Sequence, residues 1–367
     1  SSPTANDGGQ AWPNGGSVNP SDLAAIQQDG FELGQVTAWA FGPDATAPRY
    51  SHIAGDITAA YHPGKVDQVT RAMVTFATGD ATYPAMVFTF DRIVSTAADL
   101  KKTWLLHSIE EPTIEGQSAT IQRAGPTYDD EGTYAGKLVA QSVLPEDAVL
   151  TAVGGAGQEF WVESTQTNYA VTKAPPAEPG AWRVEISPAA AATDDLFLTV
   201  MTVMASSEAG QPTVELIREN GLVGASADGW TAVYSESGAL LSSGQLTLAG
   251  QSSYHVLACD LEAGWWTVSL DGDVVATEEV TDEGHSLFFE GGPGTYLLEP
   301  GLPPDGGVGG SGGIGGTGGT GGTASGGAGA SDDGGCGCRF GTTRSAPLSL
   351  TLLLVIAGAL RRRRSSC

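Results

Sequence analysis

Basic residues are scarce in this chain. Its 367 residues include 17 Lys and Arg against 42 Asp and Glu, a formal net charge of −25. The body is more one-sided than the total. Arg339, Arg344 and Arg361 to Arg364 all follow residue 335 and every acid precedes it, so residues 1–335 set 11 basic side chains against 42 acidic ones. A field of that sign repels a phosphate backbone and excludes nucleic acid as a partner. It disfavours highly sulfated glycans unless a local basic cleft overrides it. It suits solubility outside the cell, high salt or calcium-bridged contacts.

Cysteine and histidine are nearly as sparse. Of Cys259, Cys336, Cys338 and Cys367, only Cys259 lies in the body, so no disulfide framework can be drawn. Cys259 reads as a small buried apolar residue. His52, His62, His107, His255 and His285 are scattered, with no His-x-His pair. His52 and His62 flank Asp56, but their separation across Gly55 is no ligand signature for a common metal site. Asp56 and Thr58 are expected to organise a turn instead, and no metal ligand is assigned.

Helical periodicity is also lacking, since no long amphipathic stretch occurs. Gly154-Gly155-Ala156-Gly157 is glycine-rich, but a strand-like Gln158–Val162 follows it where a phosphate-cradling loop needs a helix. The chain opens at Ser1 with neither an initiator methionine nor an N-terminal apolar run. The expectation is a removed signal peptide or a start within a longer protein.

What the chain does have is period-two alternation, densest in residues 66–116. VTRAMVTF (69–76) puts Ala72, Val74 and Phe76 on one face and Arg71 and Thr75 on the other. AMVFTFDRI (85–93) aligns Met86, Phe88 and Phe90. TWLLHSI (103–109) aligns Trp104 and Leu106, with His107 opposite. The pattern predicts three neighbouring antiparallel strands. Residues 117–172 continue as short strands, two of them parted by a turn at Pro145-Glu146-Asp147, and 173–180 is a linker-like break. Trp182, Val184 and Ile186 alternate with Arg183 and Glu185, and Leu196–Met204 is apolar enough to be buried on both faces. In residues 211–300, Trp265 and Trp266 point to opposite faces of a strand that ends at Asp271-Gly272, a type I′ hairpin signal.

The predicted fold is all-β: a loop or ragged start (1–22), a large antiparallel β-sandwich (23–205, with a short helical turn over 23–32) and a smaller β module (206–300). A Gly-rich tether (301–335) and a tail (336–367) with a short hydrophobic helix complete it. Three residues are candidate ligand contacts: Arg71 for a carboxylate, His107 as base or hydrogen-bonding contact, and Trp266 as a stacking platform. An ion pair for Arg71, a half-exposed structural role for His107 and a core role for Trp104 are the plainer readings.

The segments VTRAMVTF, MVFTFDRIVS and KKTWLLHSIEEPTIEG resemble the β-rich C-terminal part of heparinase II/III-like polysaccharide lyases. NDGGQAW (6–12), YSHIAGDITAAY (50–61), LVAQSVLPEDAVLTAVGGAGQEFWV (138–162) and GAWRVEISPAAAATDDLFLTVMTV (180–203) extend the resemblance to about residues 6–300. It implies an N-terminal α/α toroid paired with a β-sandwich and β-elimination on uronate-containing glycans. Catalytic Asn, His and Tyr would sit largely on the toroid, with a His-x-His loop adding a catalytic His and zinc ligands. This sequence has neither toroid pattern nor His-x-His, so no catalytic residue and no zinc ligand carries over. An acidic polysaccharide and a toroid supplied in cis or in trans are the implied partners. The alternative is a non-catalytic surface protein that binds glycans or spaces other modules.

The tail reads as an address. A Gly, Ser and Thr tether from Gly306 leads to Cys336-Gly-Cys338, the apolar run Ala346–Leu360, then Arg361, Arg362, Arg363 and Arg364. The run is short of the ~20 residues of a full span, and the arginines would hold its end on the cytoplasmic side. This order resembles the MYXO-CTERM sorting tails of myxobacterial surface proteins. That resemblance implies export, transient membrane retention, processing near Cys336 and Cys338, and display at the cell surface or outer membrane. An unprocessed C-terminal anchor is the simpler reading.

Overall fold

The computed structural model describes residues 33–127, 132–169 and 180–304. The expected start, the helical turn at 23–32, nearly all of the 173–180 linker, most of the tether and the whole tail lie outside these residues. The first part of the chain forms β1 (Gln35–Gly42), β2 (Tyr50–Asp56), β3 (Val66–Ala77), β4 (Ala85–Ser95), β5 (Trp104–Ser108) and β6 (Thr113–Glu115). There follow β7 (Ser118–Pro126), β8 (Thr133–Leu144), β9 (Val149–Gly154), β10 (Trp161–Val162), β11 (Thr167–Asn168), β12 (Trp182–Ser187) and β13 (Asp194–Ala205). The rest forms β14 (Val214–Glu219), β15 (Leu222–Ala227), β16 (Trp230–Ser235), β17 (Gly244–Leu248) and β18 (Tyr254–Cys259). β19 (Gly264–Leu270), β20 (Asp273–Val280), β21 (Ser286–Gly291) and β22 (Gly294–Pro300) complete it.

These strands make four stacked sheets and a small two-stranded one, β10-β11. The largest has eight strands in the order β1-β2-β3-β4-β13-β8-β7-β6. A three-stranded sheet, β5-β12-β9, packs on one of its faces. Their shared core holds Trp104, Val184, Ile186, Ala119, Ala140, Phe197 and Met201. The five-stranded sheet β14-β15-β16-β18-β21 packs on the other face. There the inward residues of β3 and β4 meet Val223, Ala225, Trp230, Ala232, Tyr234, Leu257 and Cys259. The four-stranded sheet β17-β22-β19-β20 closes the stack over Leu246, Tyr254, Val256, Trp266, Val268 and Phe289. The predicted all-β architecture is thus observed. The smaller module is itself a two-sheet sandwich, and it shares a core with the larger one.

Alternation places the core as the pattern predicts. Val74, Phe76, Met86 and Phe88 are fully enclosed, and Ala72 and Phe90 are nearly so. Each such Phe or Met contributes about 1.5–3 kcal/mol of apolar transfer. β13 lies between β4 and β8 and has a core on each side, which is why Phe197, Leu198, Thr199, Val200 and Thr202 are all buried. β15 and β16 are buried along their whole length for the same reason.

One pairing differs from the prediction. β3 and β4 are neighbours, but β5, the strand of Trp104, pairs with β12 in the three-stranded sheet. Its apolar face packs on the eight-stranded sheet instead of extending it, so the periodicity was right and the neighbour wrong. The predicted hairpin forms: Asp271 (φ 51) and Gly272 (φ 99) join β19 to β20, with Leu270 opposite Asp273. Gly154 (φ 155) closes a turn in which an added Cβ would lie 2.4 Å from the Ala181 carbonyl oxygen. Its role is close backbone approach. Asp56 organises its turn as expected, accepting from the Thr58 N–H at 2.8 Å.

Candidate functional site

The three-stranded sheet covers only part of the outer face of the eight-stranded one. Its contacts fall on β4, β13, β8 and β7, through Val87, Ile93, Phe197, Met201, Ala140 and Ala119. Over β1–β3 the three-stranded sheet does not reach, and the same face carries Trp39 (51% exposed), Phe41 (47%) and Ile53 (44%). The cause lies in the alternation of β1, QVTAWAFG, which sends the aromatics one way and Ala38 and Ala40 the other. The inward side has room only for alanine, because the 281–285 turn closes against β1. The Trp39 N–H donates to the Glu283 carbonyl at 2.7 Å, and a Cβ built on Gly284 would sit 3.5 Å from that of Ala40.

The Trp39 and Phe41 rings lie 5.9 Å apart with planes inclined by 24°. Trp39 stands opposite Ile53, and Ile53 opposite Met73, so a row of apolar side chains crosses β1, β2 and β3. Arg71 lies on this face of β3, where the opposing residue of β2 is Gly55. Its guanidinium donates through Nε (2.6 Å) and a terminal nitrogen (2.7 Å) to the two carboxylate oxygens of Asp91. Asp91 is buried while the Arg71 side chain is 44% exposed. Burial raises the Asp91 carboxyl and the Arg71 hydrogen bonds oppose that rise, while the same hydrogen bonds raise the Arg71 guanidinium.

The three candidate contacts from sequence do not come together. Arg71 is paired with Asp91 through Nε and one terminal nitrogen, the plainer of its two readings. His107 is exposed on β5, opposite Arg183 of β12 in the three-stranded sheet. Trp266 is buried between the five- and four-stranded sheets, with its indole N–H donating to the Glu262 carbonyl at 2.8 Å. It cannot stack on a sugar. The prediction that Trp265 and Trp266 face opposite ways holds, with Trp266 as the inward one. Cys336, Cys338 and Arg361 to Arg364 lie outside the described residues.

The aromatic platform on β1 was missed in the sequence. Its signal was available in two aromatics spaced by two that alternate with Ala38 and Ala40. The usual expectation that aromatics face inward assigns that pattern the wrong way round.

A second polar cluster crosses the seam between the eight- and five-stranded sheets. Arg49, just before β2, reaches Glu290 of β21 at 2.5 Å and lies over the Trp230 ring, 5.1 Å from its centroid. The His255 Nδ1 is 2.9 Å from the same Glu290 oxygen, and its ring stacks on Trp230 at 4.2 Å. Deeper in the seam, His52 is 3% exposed and neither ring nitrogen has a hydrogen-bond partner among the described residues. Burial lowers its pKa to about 4; the nearby Gly284 backbone opposes the shift and His285 adds to it. Asp260 accepts from the Ser235 N–H at 3.0 Å, and burial raises its carboxyl.

No group of three or more His, Cys, Asp and Glu among the described residues is placed to hold a metal ion. Among the same residues no helix is long and apolar enough to cross a membrane.

Fold and surface define a two-sandwich all-β protein with an open aromatic face. Residues 216–300 match the family model described as the Heparinase II C-terminal domain, which takes in nearly all of β14 through β22. Comparison with curated proteins gives no match. Among solved structures, heparan sulfate lyase HepC from Pedobacter heparinus is 12% identical, with 62% of this chain and 32% of that one covered and a TM-score of 0.33. A heparinase III gene product is 11% identical, with 62% and 34% covered and a TM-score of 0.32. The chain thus spans about a third of the length of these structures.

Proposed function

We propose that this chain is the C-terminal β portion of a heparinase II/III-like polysaccharide lyase and a non-catalytic support for it. The observation that carries the reading is the match of 216–300 to the Heparinase II C-terminal domain. β-Elimination on a uronate-containing glycan needs a base at the carbon beside the carboxylate and a donor to the leaving oxygen. His52 is sealed in the seam, His107 faces out from the three-stranded sheet and His255 is held by Glu290. That placement supports assigning the proton transfers to a toroid in cis or in trans. The tail supports export and display at the cell surface, with processing at Cys336 or Cys338.

The purified chain is expected to release no unsaturated uronate from alginate, heparin or chondroitin, followed by absorbance of the product. Sustained product formation would overturn the non-catalytic assignment. Genomic sequence upstream of Ser1 tests the rest: a toroid and a His-x-His loop are expected there or in a neighbouring frame. The second reading, a stand-alone glycan-binding protein, is favoured by the exposed Trp39 and Phe41.

A further inference from the structure

The geometry points to a binding site on β1–β3 that takes a neutral, extended pyranose polysaccharide. Trp39 and Phe41 form its stacking platform. This goes beyond the uronate chemistry proposed above and rests on side chains of β1–β3, outside residues 216–300.

Three observations carry it. First, the platform is exposed and the backbone beneath it is fixed. Both rings are about half open to solvent, and Trp39 is tied through its own backbone N–H to Glu283 in the adjoining turn. A surface ordered before binding loses little freedom when a ligand arrives. Second, the two rings stack on each other at 5.9 Å with planes inclined by 24°, and about half of each side chain stays exposed, so the pair offers one compact aromatic surface to a sugar ring. Aromatic faces take the apolar C–H face of a pyranose. Hydroxyl-bearing Thr37, Ser51 and Thr75 lie among the apolar residues of these strands and suit the rim of hydroxyls that a sugar presents. A dry protein interface would favour an unbroken apolar patch. Third, charge selects the ligand. The chain carries −25, and Arg71, the guanidinium of β3 on this face, is already paired with Asp91 through Nε and one terminal nitrogen. A polyanion would meet repulsion that the already paired Arg71 offsets only in part. An uncharged chain meets none.

The test is affinity electrophoresis of the full chain through gels holding soluble neutral polymers (mixed-linkage β-glucan, galactomannan, hydroxyethyl cellulose) or polyanions (heparin, alginate). Retardation is expected on at least one neutral polymer and unchanged in high salt. Trp39→Ala with Phe41→Ala should abolish it, while Trp39→Tyr should keep part of it. Both positions are exposed, so melting temperatures should match the parent. Trp39 fluorescence quenching by the retarding polymer, read as a signal lost in Trp39→Tyr, keeps the test open if the double variant misfolds. No retardation on any neutral polymer, retardation by polyanions alone, or retardation that survives the double variant would overturn the proposal. A dimer in the parent that the double variant dissolves would assign the face to a second copy instead. Lyase assays bear only on the preceding section, so the two readings fail separately.

Discussion

Asp91 receives both of its guanidinium hydrogen bonds from Arg71, directly across the β3–β4 ladder, so the most deeply buried carboxylate of the outer face is neutralised by a half-exposed cation. Removing the cation strands a buried charge, whereas removing both leaves only an apolar gap. Arg71→Met should destabilise the chain by about 3 kcal/mol, the low end for breaking a buried pair because water reaches one side of it. Arg71→Met with Asp91→Leu should recover most of that loss. Urea titrations of the three proteins measure the difference; equal stability of Arg71→Met and parent would show that the pair contributes nothing.

His52 makes stability depend on pH. Its folded pKa is near 4, below the ordinary 6.5. Between those values the unfolded chain takes up a proton that the folded chain refuses, so stability falls as pH drops through this window. The depression corresponds to about 3 kcal/mol at full extent. His52→Leu should flatten the melting temperature between pH 6.5 and 4 relative to the parent. Parallel curves for the two proteins would place the imidazole in contact with water.

Tyr234 stacks on Phe90 at 4.7 Å, but its buried hydroxyl has no hydrogen-bond partner among the described residues. Burial raises its pKa well above the ordinary value, with Cys259, Asp260 and Asp91 adding to the rise. A hydroxyl stripped of water and left unpaired costs roughly 1–3 kcal/mol. Tyr234→Phe should therefore be neutral or stabilising in chemical denaturation. A clear loss of stability would reveal a bound water bridging the hydroxyl.

Cys259 is a free thiol enclosed in the seam core, and burial pushes its pKa up. A protonated, inaccessible thiol reacts poorly. A thiol-specific reagent should leave Cys259 unlabelled in the native protein and label it fully in denaturant, as mass spectrometry of the Cys259 peptide would record. Rapid native labelling would mean that the seam opens.

Much of this molecule was legible in its sequence, and the exceptions share a cause. Alternation in β3, β4 and β13 named their buried residues because a strand with a core beside it has one face, or both, to hide. Alternation is silent on which strand lies next door, so β5 was given the wrong sheet. It is silent too on which face is inside. The pattern offers Trp266 as a stacking candidate and does not single out Trp39, yet Trp266 is 1% exposed and Trp39 51%. What decides between them is long-range: the five-stranded sheet packs over Trp266, while the 281–285 turn claims the alanine side of β1. The Arg71–Asp91 pairing was open to inference only in outline, since many acids were available and register picked one.

The seam has a consequence for anyone dividing the chain. The five-stranded sheet presents Val223, Ala225, Trp230, Ala232, Tyr234 and Leu257 to the eight-stranded one. Cut free near residue 206, the C-terminal sandwich would enter solution with that whole surface wet, inviting self-association. Expression of either half alone should give aggregates, and the seam would then serve as the handle by which two separately made halves find each other again.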